Sequence, residues 1–158
     1  MLDKTDLKIL EALQNEGRMK NTTLSEHVSL SPTPCLNRVK KLEEAGIITG
    51  YKAIIDPAKV GLQIRALVLL KLANNRRKAV DEFALAIEKI PAITECFLAT
   101  GNVDYVARIY ARDLEDYETI LKDDISELPY LASMETLFLF SNLTSKPECL
   151  PLSKMQIR

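Results

Sequence analysis

The chain has 158 residues, 47% of them apolar and 27% charged, an ordinary globular composition with room for one domain or two small ones. Unbroken apolar runs such as Ala66 to Leu70 are too short to span a bilayer, and Met1 to Lys8 carry four charges with no apolar stretch, so these residues are not expected to be a signal peptide. Cys35, Cys96 and Cys149 are odd in number and scattered, as in a cytoplasmic protein with reduced thiols.

The net charge is −1; residues 1–60 hold nine Lys/Arg against eight Asp/Glu, and residues 61–158 twelve against fourteen. A broad basic footprint is absent, so nucleic-acid binding must rest on a local patch. Residues 3–60 read as three short helices followed by a strand. Asp3 is a good N-cap for the first helix, with Asp6 in its first turn. Leu7, Leu10 and Leu13, widened by Ile9, give its apolar stripe, and Gly17 stops it. The second helix starts within Asn21-Thr22-Thr23 and buries Leu24 and Val28. A tight turn at Ser29-Leu30-Ser31 leads to the third.

That third helix carries the most information. Ser31 is its N-cap, Pro32 and Pro34 sit at N1 and N3, where a missing N–H does little harm, and Gly46 ends it. Cys35, Leu36, Val39 and Leu42 fall on one side. Thr33, Pro34, Asn37, Lys40 and Lys41 fall largely opposite, with Arg38 on the flank. An exposed, basic and amide-bearing face on the last helix of a tri-helical unit is where a recognition helix meets base edges. Arg and Lys suit guanine, Asn suits adenine, and the hydroxyls of Ser31 and Thr33 with the helix N-terminus suit phosphate. Ile47-Ile48 and Tyr51 to Ile55 read as a strand forming a wing. His27 is read as a surface residue and Cys35 as a small buried hydrophobe.

Pro57 and Gly61 mark a change of pattern. A strand over Gln63–Leu72 places Ile64, Ala66, Val68, Leu70 and Leu72 on one face. A helix over about Arg76–Ile90 follows, with Val80, Phe83, Ala84 and Ile87 on one stripe. Strands over Ile93–Ala99 and Asp104–Arg112 flank a turn at Gly101-Asn102. A second helix over about Leu114–Leu128 and a strand over Leu131–Phe140 complete the order βαββαβ, the ferredoxin-like arrangement. Two helices cover only one face of such a sheet, yet the first and last strands are apolar on both, which points to a homodimer formed sheet against sheet.

The run from Leu30 to Tyr51, with Ile55-Asp-Pro57 and Gly61 after it, resembles the leucine-responsive/asparagine-responsive (Lrp/AsnC) regulator family, and Thr100-Gly-Asn-Val-Asp-Tyr105 resembles that family's G-x-x-D-Y turn. The similarity covers residues 2 to about 142. It implies an α+β chain: a winged helix-turn-helix at 1–50, a linker strand at 51–61, a ferredoxin-like effector and oligomerisation domain at 62–142, and a tail at 143–158. It also implies dimers that often assemble into octamers, with amino-acid effectors bound between dimers near the turn. Carried onto this chain, Thr100, Gly101, Asn102, Asp104 and Tyr105 would line that pocket, with Thr136 from the last strand. A structural reading stands beside this one: Gly101 makes the hairpin and Asp104 caps it. One departure is Ser29, where the family often has Gly.

The expected function is sequence-specific binding of double-stranded promoter DNA under control of an amino acid or related metabolite. The expected DNA-contacting residues are Ser31, Thr33, Pro34, Asn37, Arg38, Lys40 and Lys41. Two alternatives remain. One is an architectural DNA-binding protein without a ligand. The other is an enzyme, since siroheme decarboxylases share this domain order. No metal cluster, nucleophile–base pair or phosphate loop is visible in the sequence, so no catalytic residue and no cofactor is expected.

Overall fold

The computed structural model describes residues 2–143 and 149–152; the rest of the C-terminal tail lies outside them. The described residues divide into two compact units, 2–54 with 149–152, and 55–143.

The first unit holds α1 (Lys4–Asn15), α2 (Asn21–His27) and α3 (Pro32–Glu44). Asp3 caps α1 reciprocally: its carboxylate accepts the Asp6 N–H at 2.8 Å, and the Asp6 carboxylate accepts the Asp3 N–H at 3.0 Å, so two orphan donors of the first turn are satisfied. Ile9, Leu24, Val28, Cys35 and Leu42 form the buried core of the three helices. The N-cap of α2 is Lys20, one residue ahead of the expected trio. Asn21 instead donates its side-chain amide to the Pro32 carbonyl at 2.9 Å, tying the start of α2 to the start of α3.

At the far end of α3, the Gly46 N–H reaches the Glu43 carbonyl and the Ile47 N–H the Leu42 carbonyl, each at 2.9 Å, with Gly46 at φ 66°. This is a Schellman closure, and glycine adopts its left-handed residue without a side-chain clash. It also overturns the expected wing. The Ile48 N–H also turns back to the Leu42 carbonyl, and no strand forms over 47–55. A ladder needs a neighbouring strand, and among the described residues none pairs with 51–55, so no strand forms there and Ile54 stays 81% exposed.

The second unit opens with a single 3₁₀ turn, Ala58–Val60. It continues as β1 (Ile64–Leu72), α4 (Arg77–Ile87), β2 (Ile93–Leu98), β3 (Tyr105–Ala111), α5 (Leu114–Thr119) and β4 (Leu131–Phe138). The strands form one sheet in the order β2-β3-β1-β4, every neighbouring pair antiparallel, which is the ferredoxin-like topology. Ala66, Val68, Leu70 and Leu72 of β1 and the alternate residues of β3 pack against Phe83, Ile87, Tyr117, Ile120 and Ile125 of the helical layer. The Phe83 and Tyr105 rings stack obliquely, centroids 4.6 Å apart.

Two elements differ from their sequence pattern. The second helix is α-helical only to Thr119 and continues as a π-helix over Ile120–Ile125, in which the Ser126 N–H reaches back five residues to Leu121. The wider turn lets Ile120 and Ile125, five apart, both be buried. β4 ends at Phe138 rather than Phe140. One further backbone bond, from the Leu139 N–H to the Arg65 carbonyl at 2.8 Å, extends its pairing. On the face away from the helices lie Leu67 and Leu69 of β1, Val106 of β3, Phe97 of β2 and Leu137 of β4. A salt bridge between Arg108 and Glu95, at 3.0 Å, sits among them.

Candidate nucleic-acid interface and effector turn

α3 presents Ser31, Thr33, Pro34, Asn37, Lys40 and Lys41 to solvent, as its sequence predicts, while Cys35 and Leu42 are buried beneath. Leu36 departs from the expected inner face and is 41% exposed. The two prolines have a consequence beyond shaping the start of the helix. A capping side chain bonds the N–H of N2 or N3, and N3 here is Pro34, which has none. The Ser31 side chain makes no capping bond, so its hydroxyl is left over. The same prolines remove two of the four N-terminal donors, which leaves this helix end few backbone N–H groups to offer an anion.

Arg38 is placed differently from its neighbours. It is half-buried, and its Nη1 donates to Asp3 Oδ2 at 2.6 Å and to Asp6 Oδ1 at 2.7 Å. The Asp6 backbone N–H, and after it Arg38, hold the Asp3 carboxyl below its usual range, while the two carboxylates raise the Arg38 guanidinium. The pairing depends on two helices meeting; its signal in the sequence is a pair of acids three apart in the first turn of one helix and a lone Arg on the flank of another. Before α3, Ser29 has φ 56°, the left-handed geometry that makes its departure from Gly matter.

In the second unit, Thr100, Gly101 and Asn102 form an exposed turn, with Gly101 at φ 118°. Asp104 is built into the sheet end. Its Oδ2 accepts the Leu72 N–H at 2.8 Å, its Oδ1 accepts the Asn75 amide at 3.1 Å, and its own N–H reaches the Leu70 carbonyl at 2.9 Å. The Leu72 N–H first, then Asn75, hold its carboxyl below the ordinary value. Tyr105 is buried against Phe83, and burial raises its phenol.

Thr136 stands apart. It lies on β4 and pairs with Val68 of β1, two strand spacings or about 10 Å from β3, and its hydroxyl lies 2.7 Å from that of Tyr117. A single chain therefore gathers Thr100, Gly101, Asn102 and Asp104 at one turn and leaves Tyr105 in the core and Thr136 elsewhere. Among the described residues no group of three or more His, Cys, Asp or Glu side chains could hold a metal ion, and no helix is long and apolar enough to cross a membrane.

The first unit also holds a contact that no sequence pattern announced. The Gln14 side chain donates to the Leu150 carbonyl at 3.0 Å and accepts the Leu150 N–H at 3.1 Å. Leu150 and Leu152 lie along a groove lined by Leu2, Leu10, Leu13 and Ile47.

A tri-helical unit with an exposed polar face on its third helix, chained to a ferredoxin-like unit, defines a DNA-binding regulator with a separate ligand-binding domain. Residues 2–49 match the winged helix-turn-helix DNA-binding family, and residues 65–148 match the Lrp/AsnC ligand binding domain. The proline dehydrogenase transcriptional activator of Rhizobium radiobacter is 39% identical over 142 residues, 90% of this chain and 91% of its own length. The transcriptional regulator AzlB of Bacillus subtilis is 38% identical over 89% of this chain and 90% of its own. Among solved structures, a transcriptional regulator of Neisseria meningitidis in complex with L-Met superposes with a TM-score of 0.90 at 35% identity, covering 96% of this chain and 97% of the other. The chain belongs to the Lrp/AsnC family of transcription regulators.

Proposed function

We propose that the chain binds operator DNA as a homodimer, with α3 of each protomer in successive major grooves, and that an amino acid or related metabolite sets the spacing of the two heads by changing how dimers pack. The observation that carries the reading is the outward face of α3. Lys40 and Lys41 supply affinity through phosphate, while Thr33, Pro34 and Asn37 choose sequence. Asn37→Ala should cost about 1–3 kcal/mol of base discrimination; an unchanged footprint and base preference would overturn the assignment.

The effector reading rests on the exposed turn. A ligand carboxylate would meet the backbone N–H groups at Thr100, Gly101 and Asn102, a ligand ammonium would have to share Asp104 oxygens that already accept from Leu72 and Asn75, and Thr136 would enter only from another protomer. The L-Met bound by the Neisseria relative supports an amino acid as the class. The open sheet face, apolar around the Arg108–Glu95 pair, supports the dimer, and octamers of such dimers fit a site shared between them. Leu69→Lys should dissociate the dimer in light scattering; a dimer of unchanged mass would exclude this face.

A thermal-shift screen against the twenty amino acids tests the sensor, since a ligand that binds the native state raises the melting point. A rise with one or a few would support it. No rise, in a protein that still protects DNA as a stable multimer, would favour an architectural role. The regulator acts in the cytoplasm on this reading.

A further inference from the structure

Arg38 shares the helix of the recognition face and yet is committed to a different helix. Its two partners are not loose surface acids. Asp3 uses Oδ1 for the Asp6 N–H and Oδ2 for Arg38, and Asp6 uses Oδ2 for the Asp3 N–H and Oδ1 for Arg38. All four carboxylate oxygens are engaged, and the reciprocal cap orients both groups toward the guanidinium. The bonds span 35 and 32 positions of sequence. Beneath them, Ile9, Cys35 and Leu42 supply cohesion between α1 and α3, but apolar burial is non-directional and leaves the rotation of one helix on another weakly fixed. The charged triad supplies direction. Asn37 is the residue next to Arg38, so any rotation of α3 released at this anchor is carried directly to the base-reading face.

We propose that Arg38 is a positioning residue, which through Asp3 and Asp6 fixes the attitude of α3 toward DNA. The proposal rests on the DNA-binding reading and can fail separately from it. It also carries an electrostatic signature. Two aspartates in a DNA-binding unit repel phosphate, so deleting their charge should strengthen binding if charge alone matters. It should weaken specific binding if they hold α3.

The test uses the full chain and a duplex enriched from a random pool by the wild-type protein, with a scrambled duplex beside it, each titrated over a range of salt. Asp3→Asn keeps a residue that caps a helix well, and Asp6→Asn keeps an amide oxygen at N3 to accept the Asp3 N–H, so this variant should stay folded, as its circular dichroism would verify. We expect the double variant and Arg38→Ala each to lose roughly tenfold or more on the enriched duplex, the size of one lost base contact. The slope of affinity against salt should stay unchanged, and the loss on the scrambled duplex should be small. Combining all three changes should add little, because one linkage is being broken. A uniform loss on both duplexes in Arg38→Ala, with the salt slope reduced by about one per contact, would make Arg38 a phosphate ligand and overturn the proposal. Tighter binding by the Asn variant to the enriched duplex would overturn it too. Failure of the wild type to enrich any duplex would instead refute the DNA-binding reading beneath it.

Discussion

Ser29 and Asp104 show how far single side chains decide local geometry. Ser29 occupies left-handed backbone at φ 56° and is exposed, where an L-residue carries roughly 1–2 kcal/mol of strain and glycine carries none beyond its greater unfolded-state entropy. Ser29→Gly should therefore stabilise the helical unit by about 0.5–1 kcal/mol in chemical denaturation; a loss of stability would mean that the hydroxyl matters more than the backbone. Asp104 has a folded-state carboxyl held below its ordinary value by the Leu72 N–H and Asn75. A depressed carboxyl contributes stability that is fully present above the unfolded value and is lost as pH falls through the folded one. The melting point of the wild type should thus drop more steeply than that of Asp104→Asn as the medium is acidified below the ordinary carboxylate range. Parallel curves would show that the carboxylate is not the linked group.

At the scale of elements, the pattern of apolar spacing places the four strands and α4 of the second unit to within a few residues, because each buries a single stripe or alternate face. Phe83 is the clearest case, fully buried on α4 against Tyr105. Phe83→Ala should cost about 3–5 kcal/mol in denaturant unfolding; a cost below 1 kcal/mol would mean that the two layers close over the gap. What the sequence concealed depends on partners rather than periodicity. Residues 51–55 have strand-like composition but, among the described residues, no strand pairs with them. The π-helix of Ile120–Ile125 follows from two buried isoleucines at a spacing no α-helix matches on one face. Around α3, the exposed face was legible from its 3.6-residue period. The engagement of Arg38 was not, since it needs the three-dimensional approach of α1. For the same reason the turn at Thr100 to Asn102 could be read locally, whereas the separation of Thr136 depends on strand order.

For the whole molecule, the residues nearest the two ends of the described chain belong to one unit. Gln14 and Leu150 exchange two hydrogen bonds across 136 positions of sequence. A chain shortened to end at Leu143 should lose part of the thermal stability of the helical unit and keep that of the sheet unit, read by hydrogen exchange on α1 and β1. Equal protection in the two forms would show that the contact is incidental. The consequence reaches past stability. The sheet unit, residues 55–143, is a guest spliced into a host whose backbone leaves at one point and returns at another. Gln14 can therefore close on Leu150 only after every residue of the sheet unit has been synthesised, so the helical unit is the first begun and the last completed.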